Sequence, residues 1–225
     1  MKTKNIFRPL RADEIECRVG ATVTKNGRTS ASVLLYKDAR ADMNMLDETF
    51  GVFGWQRRHE TINGRLFCAV SVKGPDGEWI TKQDVGVESN TEAVKGEASD
   101  AFKRACFNLG IGRELYTAPQ IWVNCEEGEV SGGKVRLYLT VTDIAYDADG
   151  RISYLVLSDR RGERYRYGAL REGEMLERAK RELENSADMQ MLVQAYNRWK
   201  PFLAGNEDFI ACGKSVQEKL VGHAA

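Results

Sequence analysis

Apolar residues recur along this chain with two periods, and their order lays out an α+β fold. Residues 10–19 (LRADEIECRV) read as a short helix, with Asp13 and Glu14 suited to its first turn. Residues 31–36 (ASVLLY) read as a strand. Asp38 is placed to cap the next segment, ARADMNMLDETF, which is helical by composition and spacing and ends at Phe50-Gly51. A strand meander follows. Residues 55–62 lead to Asn63-Gly64, a strong hairpin signal because both central positions of a type I′ turn need positive φ. In the next strand Leu66, Cys68, Val70 and Val72 alternate with Phe67, Ala69 and Ser71, so one face is apolar. Pro75-Asp76-Gly77 makes the second turn, and residues 78–87 the third strand. Residues 91–109 form the clearest helix, with Val94, Ala98, Ala101, Phe102, Ala105 and Leu109 on one stripe at 3.6 spacing. Asn90 or Thr91 caps its start, Gly110 closes its end, and its alanines let it lie close on a sheet.

A second meander spans about 134–167, with strands VRLYLTVTDIAY, RISYLVLS and ERYRY and turns at Asp149-Gly150 and Arg161-Gly162. The remainder reads as helices at 171–184, 187–199 and about 207–221, interrupted by Pro201 and Gly205. Met189, Leu192, Val193 and Tyr196 share a helical face there, with Trp199 and Phe202 just beyond; they make either a local core or a docking face. The expected organisation is a core domain over 1–168 and a helical appendage over 169–225, with the loop 126–133 (EEGEVSGG) as the alternative boundary.

At 225 residues, 42% hydrophobic and 29% charged, the chain suffices for one large domain or a domain with an appendage. No apolar run approaches the roughly 20 residues that span a bilayer. The first residues, MKTKNIFRPLRADEIE, turn charged too soon for a secretory signal, so a cytoplasmic protein with no membrane segment is expected. The five cysteines are scattered without a CxxC pair, and there are two histidines, so free thiols and no metal site are expected. Formal net charge is zero, from 33 basic and 33 acidic residues. Any phosphate-binding surface must therefore be a local stripe.

Catalytic patterns are missing. There is no GxxxxGK[ST] loop, no GxSxG and no HExxH, and Gly110-Ile111-Gly112 follows a helix where nucleotide loops precede one. Asp76 and Lys82 lack the second carboxylate of a nuclease pattern. No catalytic residue and no cofactor are expected. What remains is basic and aromatic. Lys103 lies almost opposite the centre of the apolar stripe, Arg104 beside it, and Phe107 one turn on. A cation and a ring on one helix face suit single-stranded DNA, through phosphate and base stacking respectively. The other reading is a solvated Lys-Arg pair, with Phe107 covered by another subunit or by the C-terminal helices. Arg57 and His59 share one strand face and Arg58 takes the other, with Arg65 opening the next strand. This hairpin is either part of a DNA surface or a generic charged edge.

Several short motifs stand in order. Phe50-Gly51-Val52-Phe53-Gly54-Trp55 makes an FGxxGW turn, and Asp76-Gly77-Glu78-Trp79 precedes Gln83-Asp84-Val85-Gly86. Lys95 and then Ser99 through Ala105, with the Lys103-Arg104 pair, lead to Gly110 and Gly112. Over residues 33–119 this resembles the Rad fifty-two family of single-strand annealing proteins, more closely its short bacterial and bacteriophage relatives. The resemblance implies an antiparallel β-meander packed on a long helix (β-β-β-α). It also implies a homo-oligomer, ring or short helix, with single-stranded DNA in a basic groove, and ATP-independent annealing in recombination and repair. It makes Lys103 and Arg104 the phosphate-contact candidates; Lys95 in the matching helix, and Arg57 and Arg58 of the basic hairpin, are further DNA-binding candidates. Arg40 lies about one position from another basic groove residue of the family. Phe107 stands where eukaryotic relatives have a further basic residue, so stacking replaces a backbone contact there or one contact is lost. A non-annealing single-strand binding or scaffold module is the alternative. By analogy with other phage recombination proteins, the C-terminal helices are expected to meet the host single-strand binding protein.

Overall fold

The computed structural model describes residues 5–87 and 93–222 and divides into two compact units, Met1–Gly168 and Ala169–Ala225. In the first, a turn of 3-10 helix at Ala12–Glu14 leads into β1 (Ile15–Lys25), which reverses into β2 (Arg28–Lys37). Then come α1 (Ala39–Phe50), the meander β3 (Trp55–Ile62), β4 (Arg65–Lys73) and β5 (Trp79–Val85), and the helix α2 (Ala93–Leu109). After a second 3-10 turn, Arg113–Thr117, the chain forms β6 (Ile121–Asn124) and a small hairpin of β7 (Val130–Ser131) and β8 (Lys134–Val135). It then forms β9 (Thr140–Tyr146), β10 (Ile152–Asp159) and β11 (Gly162–Gly168). The α+β class read from the sequence is the class observed. Among the described residues no helix is long and apolar enough to cross a membrane.

The helix expected over 10–19 is replaced by the short 3-10 turn and the start of β1. Past Glu14 the pattern has period two: Ile15, Cys17 and Val19 pair with Lys37, Leu35 and Val33 across the antiparallel ladder. The turn that makes this ladder possible is Asn26-Gly27, with φ of 52° and 74°, nearly the values 51° and 74° at Asn63-Gly64.

The second meander does not form its own layer. It extends the first hairpin into a six-stranded sheet of order β11-β10-β9-β1-β2-β6. The join is slight, one β1–β9 rung at Glu16 opposite Thr140. The sheet curls until β11 meets β6, where the buried Arg164 guanidinium donates to the Asn124 carbonyl at 2.9 Å and pairs with Glu129 and Asp159. The strand expected from residue 135 starts at Thr140; residues 136–139 stay irregular because the chain has just left the β7–β8 turn.

β3, β4 and β5 form a separate three-stranded sheet in that order, with α2 across one face. Cys68, Val70 and Val72 of β4 are buried in one core with Ala101, Phe102 and Ala105 of α2. Two glycines stand where a Cβ would not fit, one in the turn before β3 and one against α2. A Cβ on Gly54 would stand 2.0 Å from the Phe50 carbonyl oxygen, in the turn where Trp55 Nε1 donates to Asp47 at 2.6 Å. A Cβ on Gly86 would stand 2.1 Å from the Glu97 carbonyl oxygen on α2. Gly86→Ala is expected to push helix from sheet and cost about 1–3 kcal/mol, as overpacking does, measurable by chemical denaturation. Val94 departs from the expected stripe. It lies in the first turn of α2 and is 79% exposed, because the sheet meets the helix only from about Glu97 onward. The helix start assigned to Asn90 or Thr91 lies outside the described residues.

The second unit has α3 (Glu172–Glu184), α4 (Met189–Leu203) and α5 (Glu207–Gly222) around a small core that includes Leu183, Leu192, Leu203 and Phe209. Tyr196 stacks on Phe209 at 4.7 Å, and Glu182 accepts from Trp199 Nε1 at 2.7 Å. Leu192, Tyr196 and Trp199 thus face inward, whereas Met189, Val193 and Phe202 remain exposed. Pro201 does not interrupt α4 but sits in its last turn. Having no N–H, it forgoes the bond to the Asn197 carbonyl, and the helix ends two residues later.

Candidate nucleic-acid interface

Burial of Ala101, Phe102, Ala105 and Cys106 fixes which side of α2 faces outward. Lys103, Arg104, Phe107 and Asn108 then line a cleft of about 1400 Å³. Its other wall is the large sheet. Along β2 the two-residue period buries Ala31 and Val33 and turns Ser32, Leu34 and Tyr36 to the cleft. Arg18 of β1 stands opposite Leu34, and Trp122 of β6 opposite Ser32, so both join that wall. Tyr116, from the 3-10 turn after α2, lines the cleft as well.

The cations are stationed on rings and one carboxylate. Lys103 Nζ lies 6.0 Å from the centre of the Tyr36 ring. Arg104 pairs with Asp84 at 3.3 Å, its side chain about half exposed. Asn108 Nδ2 donates to the same carboxylate at 3.2 Å. A hydrogen bond with Glu16, and then burial, push the Tyr36 hydroxyl up to about 12, so it stays protonated. Beneath the cleft Lys37 and Asp42 form a buried ion pair. Lys37 Nζ also donates to the Lys103 carbonyl at 3.3 Å, which ties the pair to the helix turn that carries Lys103. Asp42 is fully buried, and its Oδ2 has no hydrogen-bond partner. Burial pushes its carboxyl up to about 6 despite the opposing Lys37 charge.

At the far end of α2, Phe107 packs on Tyr116 with centroids 4.9 Å apart and rings inclined by 54°. Arg113 lies over the Phe107 ring at 5.6 Å and donates to the carbonyls of Phe107 (2.9 Å) and Asn108 (2.8 Å). Partners from its own unit therefore half-cover Phe107. Lys103, too, is half-buried rather than a freely solvated cation.

Of the seven residues singled out from the sequence, the structure brings Lys103, Arg104 and Phe107 into this cleft. Arg40 lies elsewhere, at the start of α1, clasped by Asp38 at 2.7 Å beside a hollow with Asp13, Glu14 and Glu16. Arg57 covers the Phe102 ring at 4.8 Å, and Arg58 on the opposite sheet face pairs with Glu60 at 3.1 Å. Lys95 is exposed near the start of α2. Sequence reasoning missed Arg18, Tyr36, Arg113, Tyr116 and Trp122. All five cysteines are free thiols, and among the described residues no group of three His, Cys, Asp or Glu side chains is placed to hold a metal ion.

Comparison with known proteins adds a lineage. Residues 3–131 match the family described as Rad52/22 family double-strand break repair protein. The single-stranded DNA-binding protein DdrA of Deinococcus radiodurans is 34% identical over 106 residues, 44% of this chain. The protein of that name from Deinococcus deserti is 33% identical over 126 residues, 53% of this chain. The chain spans about half the length of these curated relatives, 48% and 59% of them respectively. The matched span holds both walls of the cleft and covers more than half of the chain, which therefore belongs to the Rad52/22 family of double-strand break repair proteins.

Proposed function

We propose that this protein binds single-stranded DNA in the cleft between β2 and α2 and anneals complementary strands without ATP. The observation that carries this reading is the cleft itself, where Lys103 and Arg104 stand beside Tyr36 and Phe107. Cations there neutralise phosphate, rings offer faces to bases, and the strand is held open for pairing. The name of the DdrA relatives supports the DNA part. No covalent step is involved, and the protein is not an enzyme on this reading. β1 pairs with β9 at one rung only, so much of its outer edge is open. Edge pairing between copies would build the homo-oligomer, ring or short helix. The C-terminal helices serve as an appendage for a partner, the host single-strand binding protein.

That same name favours a second reading, in which the protein coats single strands without annealing them. Fluorescence annealing of complementary labelled oligonucleotides without ATP, with light scattering on the same samples, separates the two. Faster annealing by an oligomer is expected. Binding without acceleration selects the coating reading, and absence of binding overturns both. In the same assay, deletion of residues 170–225 is expected to impair annealing only on strands coated by the host protein.

A further inference from the structure

Tyr116 is 82% exposed, yet its position is fixed from several sides. Its ring rests on Phe107, and Phe107 is held by Arg113, which is itself tethered to two carbonyls at the end of α2. The next residue, Thr117, donates to the Glu114 carbonyl at 2.6 Å and accepts from the Ile152 amide of β10 at 2.9 Å. Glu114 in turn accepts from the Leu10 amide at 2.7 Å. The ring is thus backed and anchored while most of its surface faces solvent in the cleft.

An ordered, uncovered ring beside two phosphate-binding candidates has a natural ligand. We propose that Tyr116, backed by Phe107, is the stacking site for an unpaired nucleobase of a strand whose phosphates lie along Lys103 and Arg104. This rests on the cleft being the DNA site, and it adds what phosphate contacts lack. A phosphate is the same in single and double strands, whereas a paired base already has both faces covered by its neighbours. A ring that must stack therefore selects unpaired strands. Tyrosine suits a place that is wet in the free protein, since its hydroxyl stays solvated while its face remains apolar. The other wall offers Leu34 and Trp122, both partly exposed, so the base enters a slot with apolar surface on each wall.

The test uses the full chain, an oligothymidylate, an abasic strand of equal length, and a duplex. Tyr116→Ala is expected to weaken oligothymidylate binding about 5- to 150-fold, the range for stacking on one ring. Binding of the abasic strand and of the duplex should not change, nor should the slope of log affinity against log salt. Tyr116→Phe and Tyr116→Trp should retain affinity. Lys103→Ala/Arg104→Ala should weaken thymidylate and abasic strand alike. Tyr116→Ala at wild-type affinity, with the double variant impaired, overturns the base site and leaves the cleft. So does an equal loss on the abasic strand. Wild-type affinity in the double variant overturns the cleft and the base site with it.

Discussion

Asp42→Ala is expected to destabilise the fold by about 3–5 kcal/mol, because it leaves the Lys37 ammonium buried without its counter-charge. Lys37 and Asp42 are both buried, and the ammonium has the Lys103 carbonyl as its other acceptor. A second substitution discriminates this cause from loss of packing. Lys37→Met in the Asp42→Ala background removes the stranded charge, so the double variant should be more stable than Asp42→Ala alone. Chemical denaturation of wild type, Asp42→Ala, Lys37→Met and the double variant closes the cycle; additive losses would show that the pair is not coupled. The pH dependence follows from the same burial. Asp42 rises from 3.8 to about 6 on folding, so the native state holds its proton where the unfolded chain has lost it. Its contribution to stability is complete below about pH 4 and is lost as pH rises through 6. Other carboxylates act in the opposite sense, since Glu14 and Glu129 are lowered on folding. The Asp42 component is therefore read as the difference between wild type and Asp42→Asn between pH 4 and 7, where Asn should remove the fall. The predicted damage extends to function, because Lys37 also braces the turn that carries Lys103.

Lys103→Ala/Arg104→Ala is expected to reduce affinity for single-stranded DNA by about two orders of magnitude, from two charge-assisted contacts at roughly 1.5 kcal/mol or more each. The salt slope should fall by about 1.4, since each phosphate contact on a single strand contributes about 0.7. The fold should survive, because neither side chain belongs to the core. Arg104 is committed to Asp84 in the free protein, but a half-exposed pair at 3.3 Å is weak and exchanges readily for phosphate. Equilibrium titration at several salt concentrations, with thermal denaturation as the control, gives both quantities. A double variant with an unchanged slope would remove the cleft as the DNA site.

The parts of the fold that were legible in the sequence carry strong local signals. Asn63-Gly64 fixes a hairpin by its dihedral demand, Asp38 caps α1 through the Arg40 and Ala41 amides, and the alanine stripe of α2 marks a buried face. β1 was obscured because Asp13 and Glu14 suit a helix start, although Asn26-Gly27 carried the same signal that located the other hairpin. The cleft was legible on one wall only. Lys103, Arg104 and Phe107 share a helix, so spacing alone relates them. Arg18, Tyr36 and Trp122 come together through strand pairings between segments far apart in sequence, such as Ser32 with Trp122. Tyr116 gains its role from Phe107 and Arg113, a contact that no period of helix or strand encodes.

Arg113 also neutralises the helix end beside the cleft. The C-terminus of a helix carries the equivalent of about half a negative elementary charge, and α2 lines the cleft from Asp100 to Asn108, close to its end. Left bare, that end would place partial negative charge beside Lys103 and Arg104 and disfavour a phosphate there. The Arg113 guanidinium, bound to the carbonyls of Phe107 and Asn108, places a full positive charge where the partial negative one would act. The partial negative charge of the helix end is thereby answered, and the carboxylates left facing the cleft are those of Asp84, paired with Arg104, and Asp100, in a protein whose formal net charge is zero.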